Sequence, residues 1–363
     1  MKKRIASVDI LRGFTIVAMI LVNTPGTWSS VYSPLLHAEW HGLTPTDLVF
    51  PFFIFIVGIS IAFSYQNKTL NSESVKKISI RSLKLFGLGF FLNWFLPYLP
   101  FFSDLETVRI LGVLQRIAIV FFITALLALR CNWKALLSIA IIIIVSYWVL
   151  MAYIPLPDGS TPSFERLPNN WALYIDSNIL GTHMWKADYD PEGLLSSFPA
   201  IAGCIFGVLT GRFLGSQHTS KTAYMLIAGV ICLIVGYLWN ELFPINKALW
   251  TSSFVIATTG WALLCLGLVY YVTDVKNLKA GGIFKQVGMN AISIYFLSSF
   301  ITKIFYLIKI GESSTVHGWL YKNLYSWSFF DPKFSSLLYG LSVCLFYLLI
   351  GHIMYRKKIF IKV

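Results

Sequence analysis

LLHAEWHGLTPTDLVFPFFIF, residues 35–55, joins a polar stretch holding His37, Glu39, His41 and Asp47 to an apolar run that continues to Tyr65. Crossing a bilayer as a helix takes roughly 20 mostly apolar residues, and this run supplies them. Thr44, Pro45 and Asp47 fit the N-cap, N1 and N3 positions of that helix, where an acid can accept a free backbone N–H. Pro51 is expected to kink or open its first turns, because its ring removes a backbone donor.

The rest of the chain follows the same pattern. Apolar residues make up 56% of the 363 positions and charged ones only 12%, too little polar surface for a soluble domain of this size. The expected fold is an all-α polytopic membrane bundle of about ten helices. Its spans fall near 8–24, 47–66, 79–98, 107–129, 133–152, 193–214, 222–241, 248–272, 286–308 and 335–356. Asp9 and Arg12 interrupt the first apolar stretch and no small-residue cleavage site follows it, so it reads as an uncleaved span.

The net charge of +13 follows the membrane and does not point to nucleic acid. Most Lys and Arg residues fall at one set of ends, among them Lys2, Lys3, Arg4, Lys76, Lys77, Arg81, Arg130, Arg212, Lys285, Arg356 and Lys362. This distribution places both termini in the cytoplasm. Acidic residues gather instead in 25–46, 99–106 and 153–192, the outer segments, so the quoted histidines face outward. The sequon Asn67-Lys68-Thr69 lies on the inner side, as expected of a bacterial cytoplasmic-membrane protein whose outer face meets the periplasm. The chain reads as one domain, 1–363, with a long outer loop at 153–192. Its five cysteines lie in or beside apolar segments without metal-ligand spacing, and no metal site is expected.

Several polar residues stand where lipid or packing would not choose them. Asp9 and Arg12 share a helix face. Asn23 lies eleven residues after Arg12, about three turns and ~16 Å along the same face. Arg116 in GVLQRI sits about seven residues, ~10 Å, inside a span, where a charge costs roughly 3 kcal/mol or more unless paired or wetted. It should therefore face the interior, neutralising a buried acid such as Asp47 or holding an anion. A neutral imidazole at His37 or His41 could take a proton, with Glu39 and Asp47 as orienting acids. The outer loop adds His183, Asp188, Asp190 and Glu192, which could hold a cationic amino group or cap the next helix. Asn246, Lys247 and Trp250 lie at the following outer turn. Gly203, Gly207, Gly211 and Gly215 form a smooth strip suited to packing within the bundle or to a homodimer. No Walker loop, GxGxxG, CxxC or HExxH is present.

Taken in order, SVDILRG, LVNTPG, HAEWHGLTPTDLVFPFF, GVLQRI, DYDPEGLL, NKALW, GMNAISIY and YRKKIF resemble the heparan-alpha-glucosaminide N-acetyltransferase family over nearly the whole chain. The resemblance implies a ten-helix acyltransferase that moves acetyl from cytoplasmic acetyl-CoA to an amino sugar on the far side of the bilayer. His37 matches the catalytic histidine and Asn23 a site asparagine; His41 stands where lysosomal relatives carry asparagine. The site expected on this reading has His37, Asn23 and Asp47 at the chemistry and Arg12, Arg116, Gln115 and Asn290 toward acetyl-CoA. His183, Asp188, Asp190, Glu192, Lys247 and Trp250 face the acceptor. Polar groups within spans also mark transport paths, so a sugar or ion transporter remains open beside the enzyme, as does an O-acetyltransferase of exported glycans.

Overall fold

The computed structural model describes residues 5–66, 68–311 and 314–361. Lys2, Lys3, Arg4, Asn67 and Lys362 lie outside them. Among the described residues are thirteen α-helices: α1 Ala6–Asn23, α2 Val49–Tyr65, α3 Ser72–Trp94, α4 Val113–Arg130, α5 Trp133–Tyr153, α6 Trp171–Leu180, α7 Ser197–Leu214, α8 Lys221–Asn240, α9 Ser252–Tyr270, α10 Gly282–Gly288, α11 Ala291–Leu307, α12 Val316–Leu324 and α13 Pro332–Arg356. A two-residue antiparallel pairing of Lys309–Ile310 with Ser314–Thr315 joins α11 to α12.

Eight of the ten expected spans correspond to helices long and apolar enough to cross a membrane, each counted with its continuous 3₁₀ or π turn. The other two differ in physically legible ways. α10 and α11 meet at an 81° bend, so that span is broken at Met289 and Asn290. α3 carries Glu73, Lys76, Lys77, Arg81 and Lys84 over its first half, too much charge for the same measure. It ends at Trp94, where the Lys303 ammonium donates to the carbonyls of Leu92 (2.7 Å) and Asn93 (3.1 Å). A cation at a helix C-terminus satisfies carbonyls that have no partner within the helix.

α2 is the central element, packed against α1, α4, α7 and α9. Its contact with α7 is backbone to backbone. A Cβ added at Gly58 would lie 2.0 Å from the Cys204 carbonyl oxygen, and one at Gly207 2.0 Å from that of Phe55. Gly211 meets Ile59 and Ala62 in the same way. Gly207 and Gly211 thus serve packing within the bundle. α8, by contrast, buries only Met225, Gly229 and Gly236, chiefly against α9. It exposes Ile227, Val230, Ile231, Ile234 and Leu238, an apolar face suited to lipid.

The long outer loop is ordered around α6 and two buried charges. Arg116 has no accessible surface, and Asp47 is not its hydrogen-bond partner. Its Nη2 donates to the Gly193 carbonyl (3.1 Å) and to Ser196 Oγ, and its Nε to Ser197 Oγ (3.2 Å). Its guanidinium also lies 4.9 Å from the Trp250 ring centre. These neutral oxygens and the indole face supply part of the polar environment expected from its depth and tie α4 to the start of α7, while its Nη1 is buried with no hydrogen-bond partner among the described residues. Asp176 of α6 accepts the N–H groups of Leu194 (2.8 Å) and Leu195 (3.3 Å). Burial pushes its pKa up to about 6 despite those bonds and the nearby Arg116.

Gly207→Val should force α2 and α7 apart and destabilise the bundle by about 1–3 kcal/mol or more, read as a fall in Tm in detergent; an unchanged Tm would contradict the close packing. Asp176→Asn should gain on the wild type as pH rises from about 4, levelling off above about 6, because only the wild type then carries a buried charge. The check is the difference in Tm between the two proteins across that range.

Candidate functional site

The outer site is built where the chain enters α2. A 3₁₀ turn, Pro45–Leu48, precedes the helix, with Thr44 and Asp47 forming a capping box. Asp47 has no accessible surface. Its Oδ2 accepts the Thr44 N–H (3.0 Å), the Thr44 hydroxyl (3.0 Å) and the Ala38 N–H (3.1 Å). Its Oδ1 lies 2.7 Å from His37 Nδ1. One carboxylate therefore caps the helix with one oxygen and grips an imidazole with the other. An ionised carboxylate only accepts, so Nδ1 carries a proton and the Nε2 atom is the one left to exchange a proton with a bound molecule. The His37 side chain is 47% exposed, open to an incoming molecule.

Lys247 completes this cluster from the turn between α8 and α9. Asn246 anchors that turn, its side chain accepting from the Leu249 N–H (2.9 Å) and its own N–H donating to Thr251 Oγ1 (3.0 Å). Gly42 N–H donates to the Ile245 carbonyl (2.7 Å), which fastens the turn to the His37 segment. Lys247 Nζ lies 3.0 and 3.1 Å from the two His37 ring nitrogens and 3.7 Å from Asp47 Oδ1. Burial lowers its pKa, opposed by the attraction of Asp47 and Glu192.

The other expected acceptor residues are spent elsewhere. Arg109 engages Asp190 through Nε (2.8 Å) and Nη2, and Glu192 through Nη2. Asp188 is paired with Arg166, whose guanidinium lies 4.3 Å from the Tyr189 ring centre. His183 Nδ1 contacts the Val108 carbonyl at 2.8 Å. Trp250 is 2% exposed, closed between Phe50 and Phe254 and beneath Arg116, which leaves no face for a sugar. His41 bridges Glu165 (3.1 Å) and Asn246 (3.3 Å), and Trp40 Nε1 donates to the Phe164 carbonyl (2.9 Å). These contacts fasten the outer loop to the His37 segment. Asn23 ends α1 with its side chain exposed and makes no hydrogen bond among the described residues.

At the opposite end of α2 lies a cavity of about 530 Å³, lined by Arg12, Phe53, Ser60, Gln66, Arg81 and Asn290 among others. Two of the four residues expected at the donor meet here. Arg12 donates to Ser60 Oγ (2.7 Å), Asp9 (3.0 Å) and the Gly288 carbonyl (3.3 Å). Asn290 donates to the Ile359 carbonyl and accepts the Ile361 N–H, both at 3.0 Å, holding the chain end against the cavity. The other two lie elsewhere. Gln115 is buried and donates to the Ile110 carbonyl (3.0 Å), while Arg116 makes the α4–α7 tie. Arg81, counted from sequence only as an inner-face charge, is the residue that reasoning missed. Its guanidinium lies 4.7 Å from the Phe121 ring centre, and its Nε is buried with no hydrogen-bond partner among the described residues. Spacing held the signal: Arg81 lies seven residues after Ser74, three after Ile78 and four before Leu85, all inward-facing on α3.

The two sites thus share α2. From Gln66 to Phe53 the cavity follows about 20 Å of helix, and Asp47 stands about 9 Å beyond. One end of this helix thus meets a carboxylate-held imidazole and the other a cavity lined by Arg12 and Arg81.

Residues 4–236 match the family model for heparan-alpha-glucosaminide N-acetyltransferase, catalytic. The chain is 30% identical to the human heparan-alpha-glucosaminide N-acetyltransferase and 27% identical to the mouse protein, in each case over 99% of this chain and 60% of the relative. It thus spans about three-fifths of the length of these relatives. With the family match covering most of the sequence, including His37, Asp47 and Arg81, the chain belongs to the heparan-alpha-glucosaminide N-acetyltransferase catalytic family.

Proposed function

We propose that this protein is a membrane-embedded N-acetyltransferase that takes acetyl from acetyl-CoA at the inner cavity and delivers it to the amino group of an amino sugar at His37. The observation that carries this reading is the His37–Asp47 pair, a half-exposed imidazole whose Nδ1 is held 2.7 Å from a buried carboxylate. The acceptor nitrogen attacks the thioester carbonyl, forming the C–N bond. His37 Nε2 takes the amine proton and returns it to the departing thiolate as the C–S bond breaks. Asp47 holds the ring in the required tautomer and favours the transient imidazolium.

The cavity fits the anionic end of the donor. Arg81 has an unpartnered buried nitrogen, Arg12 stands across from it, and Ser60, Gln66 and Asn290 add polar groups. Such a pairing of charge and cavity is how phosphate is held without a resident metal. The basic residues around this end support a cytoplasmic donor and both termini inside, in a bacterial cytoplasmic membrane with the acceptor on the periplasmic side. Asp190, Glu192 and Asp188, each paired with arginine, shape the wall of the acceptor site and do not bind the amine directly.

His37→Ala should lower acetylation of glucosamine by about 10²–10⁴-fold while acetyl-CoA binding is retained; normal turnover would remove the base from this scheme. Arg81→Gln should weaken acetyl-CoA binding about 10–100-fold, the loss of one charge-assisted contact, with a smaller change in kcat. Unaltered acetyl-CoA affinity would move the donor away from this cavity. In proteoliposomes with the enzyme inserted in one orientation, acetyl-CoA should serve only from the Arg81 side, and product should form on the His37 side.

A further inference from the structure

Lys247 has more hydrogen-bonding capacity than the protein fills. Nδ1 of His37 is committed to Asp47, so it cannot accept from the ammonium. A nitrogen at 3.0 and 3.1 Å from both ring nitrogens lies against the ring and not along the lone pair of either. Asp47 Oδ1, 3.7 Å away, is beyond hydrogen-bond length. The contacts with the ring and with Asp47 therefore leave at least one of the three N–H donors without an acceptor among the described residues, although the side chain is only 19% exposed. An ammonium held in this condition beside an open imidazole is preorganised for an oxygen that the protein itself does not supply.

We propose that this oxygen is the carbonyl of the acetyl thioester, and that Lys247 is a catalytic residue which holds the oxyanion of the tetrahedral intermediate. The proposal rests on the assignment of His37 as base. As the acceptor nitrogen bonds to the carbonyl carbon, the C=O electron pair moves onto oxygen beside the ammonium. The pair returns as the C–S bond breaks, and the amine proton travels through His37 Nε2 to the thiolate. Lys247 keeps its proton throughout. Position favours it over the alternatives: Lys247 lies against the His37 ring, whereas Arg116, although its Nη1 is buried without a partner among the described residues, has no accessible surface and is tied through Nε and Nη2 to Gly193, Ser196 and Ser197, and Asn23 stands exposed at the end of α1.

The charged groups facing Lys247 are His37 and Asp47 from the entrance of α2, Glu192 before α7 and Arg116 of α4. Asp47 and Glu192 favour the ammonium, while burial and Arg116 oppose it. The protonated form is the active one, so activity should fall on the alkaline side as Lys247 loses its proton, below the ordinary lysine range.

The experiment measures kcat, KM for acetyl-CoA and the pH profile for the wild type, Lys247→Met, Lys247→Arg and His37→Ala in detergent, with glucosamine as acceptor. Lys247→Met should lose about 10²–10³-fold in kcat at every pH, with KM for acetyl-CoA within about threefold. Lys247→Arg should recover much of the rate and lose the alkaline limb, because guanidinium stays charged. Turnover by Lys247→Met within threefold of the wild type at any pH overturns the assignment, as does a mere displacement of the acid limb. If Lys247→Met folds poorly, Lys247→Gln keeps the length and a polar tip; at least a tenfold loss supports the proposal and wild-type turnover rejects it. Inactive His37→Ala beside active Lys247→Met removes only the lysine, whereas active His37→Ala removes the base on which the proposal stands.

Discussion

The Asp47 carboxylate is the constraint through which the outer site and the bundle become one object. Its Oδ2 accepts the Thr44 N–H at the entrance to α2, a role open to any good capping residue, and the Ala38 N–H of the His37 segment. Its Oδ1 reaches His37 ten residues earlier, a role that only an acceptor fixed in both position and ionisation can perform. Because the same side chain does both, the imidazole is referenced to the axis of α2 and not to a loose loop. α2 is in turn fixed against α7 by backbone contact at Gly58 and Gly207. On the proposed function such rigidity serves the chemistry, since small displacements of reacting groups cost large factors in rate.

Buried cations illustrate how differently one residue type is used in this bundle. Lys303 caps α3, Arg212 donates to the Ala128 and Cys131 carbonyls at the end of α4, and Arg116 ties α4 to the start of α7. Each answers the cost of charge in a low-dielectric interior with carbonyls, hydroxyls or an aromatic face. Arg81 and Lys247 depart from that pattern, one at the inner cavity and one beside His37. Arg116 shares part of this feature, since its Nη1 is also buried without a hydrogen-bond partner among the described residues; what sets Arg81 and Lys247 apart is their place, one lining the cavity and the other against the His37 ring, at the two ends of α2.

The sequence made the helices legible because lipid demands long apolar runs, and it made Asp47 legible as a cap of α2, while His37 stood out through the family motif and its pairing with Asp47, among the nearby acids, came only with the fold. It could not place the interruptions: α4 begins only at Val113, and α10 breaks from α11 where Asn290 binds the returning chain end. These boundaries are set by partners distant in sequence. The same reason hid the fate of the acidic loop, since the one arginine that occupies both Asp190 and Glu192 is Arg109, 81 and 83 residues earlier. Lys247 meets His37 across 210 residues, and no local pattern announces that contact. Arg116 was legible in depth but not in partner: its position called for a buried acid or a bound anion, and three-dimensional packing places neutral oxygens of Gly193, Ser196 and Ser197 against it.

The distance between cavity and base has a mechanistic consequence. Phe53 is the uppermost α2 residue lining the cavity, and Phe50, one turn higher, packs edge-on against Trp250, which itself lies under Arg116. Aromatic side chains therefore occupy the interval of about 9 Å between cavity and carboxylate. On the proposed function the thioester must displace or pass these rings to reach Nε2. A barrier of this kind separates the aqueous compartments whenever no donor is threaded through it, and it keeps water from a reactive thioester once one is. Trp250 then acts three residues from Lys247 as part of the wall along which the acyl group travels, so the turn that presents the ammonium also closes the passage beneath it.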